Sequence, residues 1–132
     1  MKNTLKFFGI IVFITVILFS MIACGDDGQG DLLNGTWDRG DIVVTFSGST
    51  GTFTEIKSNS VWAPFVNNGT ISIGDRKFRN ISYENNSKWT GQELCYLNSS
   101  TTWESTTLTI SGQNLRVETP NASPGVTNYT RR

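Results

Sequence analysis

The pattern of apolar and polar positions along this chain changes once, and sharply. From Phe7 to Ala23 large apolar residues follow one another with only Gly, Thr and Ser between them. Beyond Leu32 the apolar runs are short, and apolar positions alternate with Thr and Ser. Alternation with period two marks a strand that buries one face. Ile42, Val44 and Phe46 share a face of "DIVVTF" (41–46), and Ile71 and Ile73 share one of "GTISI" (69–73). Leu108 with Ile110, and Leu115 with Val117, repeat the arrangement. Further strands are predicted over "TFTEIK" (52–57), "KFRNISYE" (77–84), "QELCYLN" (92–98), "TTWESTTLTI" (101–110), "NLRVE" (114–118) and "VTNYTR" (126–131). Glycine-containing breaks at "SGSTG", "GDR" and "SGQ" predict three hairpins: 41–46 with 52–57, 69–73 with 77–84, and 101–110 with 114–118. Prolines occur only at 64, 120 and 124, outside the strands. No segment after residue 32 has a helical period.

Eight or nine short strands without long crossovers predict an all-β fold, a small antiparallel up-and-down β-barrel. Closure removes the exposed edges that Thr-rich strands would otherwise present. The least regular stretch, "SNSVWAPFVNN" (58–68), is expected as a loop or short turn over one barrel end.

The opening segment is of another kind. Lys2 and Lys6 precede the apolar run, and a small residue, Ala23, ends it. A basic start, an apolar helix-forming stretch and a small residue are the parts of a secretory signal. At about 17 residues the run is also near the lower limit for crossing a bilayer, so an uncleaved anchor helix is the alternative. Met21-Ile22-Ala23-Cys24 resembles the lipobox of bacterial lipoproteins, with Met21 where Leu is usual. The resemblance implies cleavage before Cys24 and a diacylglyceryl group on its sulfur. Two acyl chains suffice for durable attachment where one does not. The organisation that follows is a signal peptide over 1–23, a flexible tether over 24–31 and a domain over 32–132. The place implied is the bacterial cell envelope, on the outer membrane or the outer face of the inner membrane. The partners expected are that membrane, through the anchor on Cys24, and a small apolar ligand, with protein partners left open.

Charge narrows the function classes. The chain carries 11 basic and 11 acidic residues and no His. Without the two lysines of the signal, nine bases face eleven acids. A mildly acidic domain lacks the footprint of a nucleic-acid binder. The absence of His excludes His-based triads, His-ligated metals and His proton switches. No metal cluster or phosphate-binding glycine loop is evident, and no cofactor is expected. With Cys24 acylated, Cys95 in "ELCYL" is left single and reads as a small buried hydrophobe.

"LNGTW" (33–37) at the first strand and "NYTRR" (128–132) at the chain's end together resemble the lipocalin-like, or calycin, β-barrels. In that family a Gly-x-Trp opens the first strand, and a basic residue of the last strand packs across the indole and closes the barrel. The resemblance assigns Gly35 and Trp37 to the first part and Arg131 to the second, with Arg132 as a substitute. Many members bind small apolar ligands, although a fold does not settle a function. About 100 residues is short for a large cavity, so a filled interior is an alternative.

Four aromatic residues are candidate walls of a ligand pocket: Trp62, Phe65, Trp89 and Trp103. Trp62 and Phe65 would stand at a barrel mouth, a preferred place for pockets. The simpler reading makes all four core or end plugs, and Tyr83 and Tyr96 core residues. Asp38, Asp41 and Glu55 are the nearest approach to a catalytic carboxylate set, and solvated acids around the "DRGD" turn are the expectation. Arg39-Gly40-Asp41 matches a tripeptide read by adhesion receptors, a match frequent by chance. Seven Asn-x-Ser/Thr sequons, beginning at Asn34, Asn68, Asn80, Asn85, Asn98, Asn121 and Asn128, reflect the Asn, Ser and Thr content. The function expected is non-enzymatic binding of a small apolar ligand or envelope component. The alternative is a structural or surface-interaction protein with a filled barrel.

Overall fold

The computed structural model describes residues 30–132. Cys24, the signal segment 1–23 and most of the tether lie outside the described residues. The chain forms eight antiparallel strands in sequence order, closed into a barrel. They are β1 Gly35–Asp38, β2 Ile42–Ser47, β3 Thr50–Ile56, β4 Arg76–Asn85, β5 Lys88–Leu97, β6 Ser100–Ser111, β7 Asn114–Glu118 and β8 Val126–Arg131. A 3-10 turn, Gly30–Leu33, precedes β1, and one short helix, α1 (Ala63–Asn67), lies between β3 and β4. Pairing of Trp37 with Arg131 and of Asp38 with Thr130 closes β1 on β8.

The alternation read from the sequence places the core. Ile42, Val44, Phe46, Leu108, Leu115 and Val117 are buried together with Trp37, Phe53, Phe78, Trp89 and Tyr129. Each such side chain contributes roughly 1.5–3 kcal/mol by leaving water. The aromatic rings fill the interior, with Phe46 and Phe78 5.0 Å apart and Phe78 and Tyr129 6.4 Å apart.

Four hairpins turn in two residues: Gly48-Ser49, Asn86-Ser87, Asn98-Ser99 and Gly112-Gln113. Both residues of the Asn86-Ser87 and Asn98-Ser99 turns have positive φ. That conformation matches the twist of the flanking strands, and Asn tolerates it better than most residues. These two turns hold no glycine, and they shift the strand boundaries from those expected. β5 begins at Lys88, and its hairpin partner is β4.

The expected strand over 69–73 does not form. Gly69 and Gly74 both have positive φ, and the segment runs as a loop after α1. Its alternation has another cause: Ile71 is buried in the core cluster while Ile73 lies exposed. β3 pairs with β4 at only two positions. The segment 57–75 covers this gap, with Gly74 N–H donating to the Phe53 carbonyl and Phe53 N–H to the Asp75 carbonyl. The irregular stretch 58–68 contains α1 and inserts Trp62 over Phe53, ring centres 5.4 Å apart.

An up-and-down barrel has two unlike ends. At one, the 3-10 turn closes the interior: Asn34 holds the Gly48-Ser49 turn through a 3.0 Å bond to Gly48 N–H. The Gly112-Gln113 turn is tied to the same end by Arg131 N–H donating to the Gln113 carbonyl. At the other lie Arg39–Asp41, the segment with α1, the Asn98-Ser99 turn and the loop 119–125.

Candidate functional site

At the closed end Trp37 is fully buried, and its indole N–H donates to the Leu33 carbonyl at 2.9 Å. The Arg131 guanidinium stacks over its ring at 4.3 Å. It also donates to the carbonyls of Leu32 and Asn34. Gly35 has φ of 125°, and a side chain there would meet the Arg131 guanidinium 3.1 Å away. These three residues form one plug. Arg132 points elsewhere, to Glu55 and Asp38.

Among the described residues the open end stands apart, because charge is buried there. Lys77 and Glu93 are 2 % and 4 % exposed and stand 2.7 Å apart. A bulge brings Lys77 inside. Gly51 pairs with Phe78 and Thr52 with Arg76, so Lys77 is the extra residue of β4. Bulges re-aim side chains, and here Lys77 and Phe78 both turn inward. Lys77 also donates to the Leu94 carbonyl and lies 4.7 Å from the centre of the Trp62 ring. Burial lowers its pKa, against the pull of Glu93. Glu93 accepts from Lys77 on Oε1 and from the Thr119 hydroxyl on Oε2. Thr119 and Thr106 hydroxyls lie 2.7 Å apart and extend the network across β6.

A second pair stands beside the first. Arg39 donates from Nε and Nη2 to the two oxygens of Asp41, each at 2.6 Å. Ser60 donates to Asp41 Oδ2 at 2.8 Å. Burial opposes the Asp41 carboxylate, but the bonds from Arg39 and Ser60 outweigh it and hold its pKa below the ordinary value. Arg39 and Asp41 of the "DRGD" turn thus engage each other.

Between these pairs and the surface lies a cavity of about 410 Å³. Its walls include Val61, Trp62, Tyr96, Pro124 and Val126, and Arg39, Asp41, Lys77 and Glu93 also line it. That volume falls in the range of small-molecule pockets. Thr127 lines the cavity too, and its hydroxyl is buried with no hydrogen-bond partner. Leaving such a group unmatched costs about 1–3 kcal/mol. The Tyr129 hydroxyl is also buried, and burial raises its pKa against the opposing pull of Arg39. Cys95 lines the cavity as well. Burial, with Glu93 adding to it, raises its pKa to about 11, which keeps the thiol protonated.

The four candidate aromatics do not converge. Trp62 lines the cavity, while Phe65 packs behind it, ring centres 5.9 Å apart, and against Tyr96 at 5.3 Å. Trp89 lies in the core, edge-on to Tyr83 at 5.3 Å. Trp103 pairs with Leu94 on the opposite face of the sheet from Thr106 and Leu108, under the Arg79 guanidinium at 4.1 Å. Its position is odd where the inward positions of β6 are even, which puts it outside the barrel. The buried pair Lys77–Glu93 was not foreseen. Glu93 carried a signal, since it shares parity with Trp89 and Cys95. Lys77 carried none, because only the bulge turns it inward.

Asp38 and Glu55 both bind Arg132, so none of the three acids considered for catalysis is free. Among the described residues no group of His, Cys, Asp and Glu could hold a metal ion. Among them, too, no helix is long and apolar enough to cross a membrane. Set against protein-family models, curated proteins and solved structures, the chain matches none of them.

Proposed function

We propose that this chain is a bacterial lipoprotein, anchored in the cell envelope through acylated Cys24. Its lipocalin-like barrel binds a small, largely apolar organic ligand at the mouth, without chemistry on it. One observation carries the binding reading: an apolar-walled cavity of about 410 Å³ opens where the barrel holds its buried polar groups. Below the mouth the interior is packed with aromatic rings, so the ligand sits in the mouth rather than along the axis. The anchoring reading rests on the lipobox at residues 21–24 and the apolar run before it.

The packed interior favours a second reading, a structural lipoprotein with no ligand. Native mass spectrometry of the full-length protein extracted from its own membrane separates the two. A low-mass adduct that disappears in Val126→Arg, which fills the mouth, supports binding. A mass equal to the acylated chain alone, in protein that has never been stripped, supports the structural reading. For the anchor, Cys24→Ser should move the protein out of the membrane fraction. A wild-type mass that lacks acyl chains, or retains residues 1–23, refutes it.

A further inference from the structure

The chain holds two Asn-Gly steps, Asn34-Gly35 and Asn68-Gly69. Asn is among the chemically labile side chains, and such a step is able to modify itself. The glycine backbone nitrogen attacks the Asn side-chain carbonyl carbon, Cγ, and gives up its proton. Ammonia leaves with Nδ2, and a five-membered succinimide remains. Water then opens the ring, at one carbonyl to aspartate and at the other to isoaspartate. In sum an amide and water become a carboxylate and ammonium, with no other reactant. Glycine permits the closure because it puts no side chain beside its nitrogen. The nitrogen must still swing towards Cγ, so the freedom of the local backbone decides which step reacts.

Asn34-Gly35 is built into the plug. The Asn34 side chain donates to Asp31 and accepts from Gly48 N–H, and its carbonyl accepts from Arg131. Gly35 pairs with Phe46 in the β1–β2 ladder. Turning this peptide means opening the closed end of the barrel. Asn68-Gly69 stands at the other extreme. Residues 66–70 are all exposed, and a Cβ added at Gly69 would meet nothing within 4 Å. Asn68 ψ of 2° keeps the Gly69 nitrogen turned away from Cγ, and the 3.1 Å bond from Gly69 N–H to the Val66 carbonyl must open for it to turn. A backbone N–H lies 3.0 Å from Oδ1 in both steps, Gly48 at Asn34 and Thr70 at Asn68. Such a donor stabilises the charge that develops on that oxygen, so activation does not separate the two steps and backbone freedom does. We infer that Asn68 is a site of self-modification: in the folded protein it converts to aspartate and isoaspartate while Asn34 is preserved. The product alters the open end. No Asp, Glu, Lys or Arg occurs from 58 to 74, so the new carboxylate is the first charge of that segment. Asn68 shares a surface pocket with Val61, Phe65 and Tyr96, and Val61 and Tyr96 also wall the mouth cavity. Isoaspartate in addition lengthens the main chain by a methylene just after α1. None of this depends on what the mouth holds.

The test is peptide mass mapping of the full-length protein in detergent micelles, sampled during incubation in mildly alkaline buffer. One arm is folded and the other is held in concentrated urea. The two Asn-Gly peptides are read separately, and their aspartate and isoaspartate products are resolved by chromatography. In the folded arm Asn68 is expected to convert about tenfold or more faster than Asn34, and in urea the two rates should come together. Arg131→Met, which frees the Asn34 carbonyl and loosens the plug, should raise conversion at Asn34 at least about threefold and leave Asn68 unchanged. Equal rates in the folded arm overturn the inference. So does a folded Asn68 that stays intact while the urea-unfolded chain converts. A preference for Asn68 that is the same in urea as in the folded protein removes its structural ground and overturns it too.

Discussion

Replacing Lys77 by Met tests whether the buried charges at the mouth support the fold or burden it. The Lys77–Glu93 separation of 2.7 Å corresponds to about 6 kcal/mol of attraction at an effective dielectric of about 20. Desolvation of the two ions offsets most of that, at several kcal/mol each. The net worth of the pair is therefore small, but removing one partner is not a small change. In Lys77→Met, Glu93 keeps only the Thr119 hydroxyl as a donor, at 4 % exposure. An uncompensated buried charge costs about 3–5 kcal/mol. The loss should depend on pH, with a definite sign. Burial without a countercharge disfavours the ionised form of a carboxyl and raises its folded-state pKa. Such a group contributes stability below the unfolded pKa and loses it as the pH rises through the folded one. The variant should thus be close to wild type near pH 4 and weakest at pH 7 and above. Adding Glu93→Gln removes the stranded charge and should recover all but about 1–2 kcal/mol. Urea unfolding of the full-length chain, followed by tryptophan fluorescence, reads these differences; Trp37, Trp62 and Trp89 are all buried. A single-variant loss under 1 kcal/mol at pH 7.5, or one that does not change with pH, refutes the reasoning.

Gly91→Ala should cost about 1–3 kcal/mol by overpacking, measured by the same unfolding curves. The bulge of β4 at Asn80 and Ile81 brings its backbone against Gly91, and an added methyl would lie 2.4 Å from Ile81 Cδ1 and 2.9 Å from the Arg79 carbonyl. Arg131→Met should cost about 2 kcal/mol, from the lost stacking on Trp37 and two lost bonds to backbone carbonyls. Arg131→Lys should restore less than half of that, because an ammonium cannot fork and stack at once. Cys95, with a pKa of about 11 against an ordinary thiol value of 9.0, should be alkylated at pH 8 about 100-fold more slowly than a free cysteine, as read by peptide mass mapping. Because its folded pKa is raised, the stability it supplies is intact below pH 9 and lost as the pH climbs towards 11. Cys95→Ala should flatten that part of the alkaline unfolding profile.

The barrel was legible in the sequence where the code is local. Strands such as 41–46 and 114–118 bury one face and expose the other, and period two reports that directly. Hairpins with glycine in the turn were legible for the same reason. The Asn86-Ser87 and Asn98-Ser99 turns fall in or beside the breaks between the strands expected over 77–84, 92–98 and 101–110, but they reach positive φ without glycine and so carried no hairpin signal. The segment 69–73 shows the converse failure. Two isoleucines two residues apart read as a strand face, yet one is buried beneath a loop and the other faces water. The mouth was only partly legible. Trp62 was placed by its irregular, proline-containing surroundings, whereas Glu93 was passed over although it shares parity with the buried Trp89 and Cys95. Lys77 depends on a register shift between β3 and β4, which is a property of two strands together and leaves no mark on either alone.

The two unlike ends of the barrel also give the molecule a direction. The chain enters the fold at the plugged end, beside Leu33 and Arg131, and the mouth lies at the opposite pole. In a chain held by Cys24, the five residues 25–29 before the 3-10 turn span at most about 18 Å when fully stretched, and ten-residue strands such as β4 and β5 are about 33 Å long. Such a leash is too short to turn the domain over. On such an anchor the mouth would face away from the lipid, and its traffic would be with the aqueous space or with whatever surface stands across from it. Ligand captured by diffusion through the envelope would reach it freely, whereas ligand dissolved in its own supporting leaflet would first have to leave that leaflet.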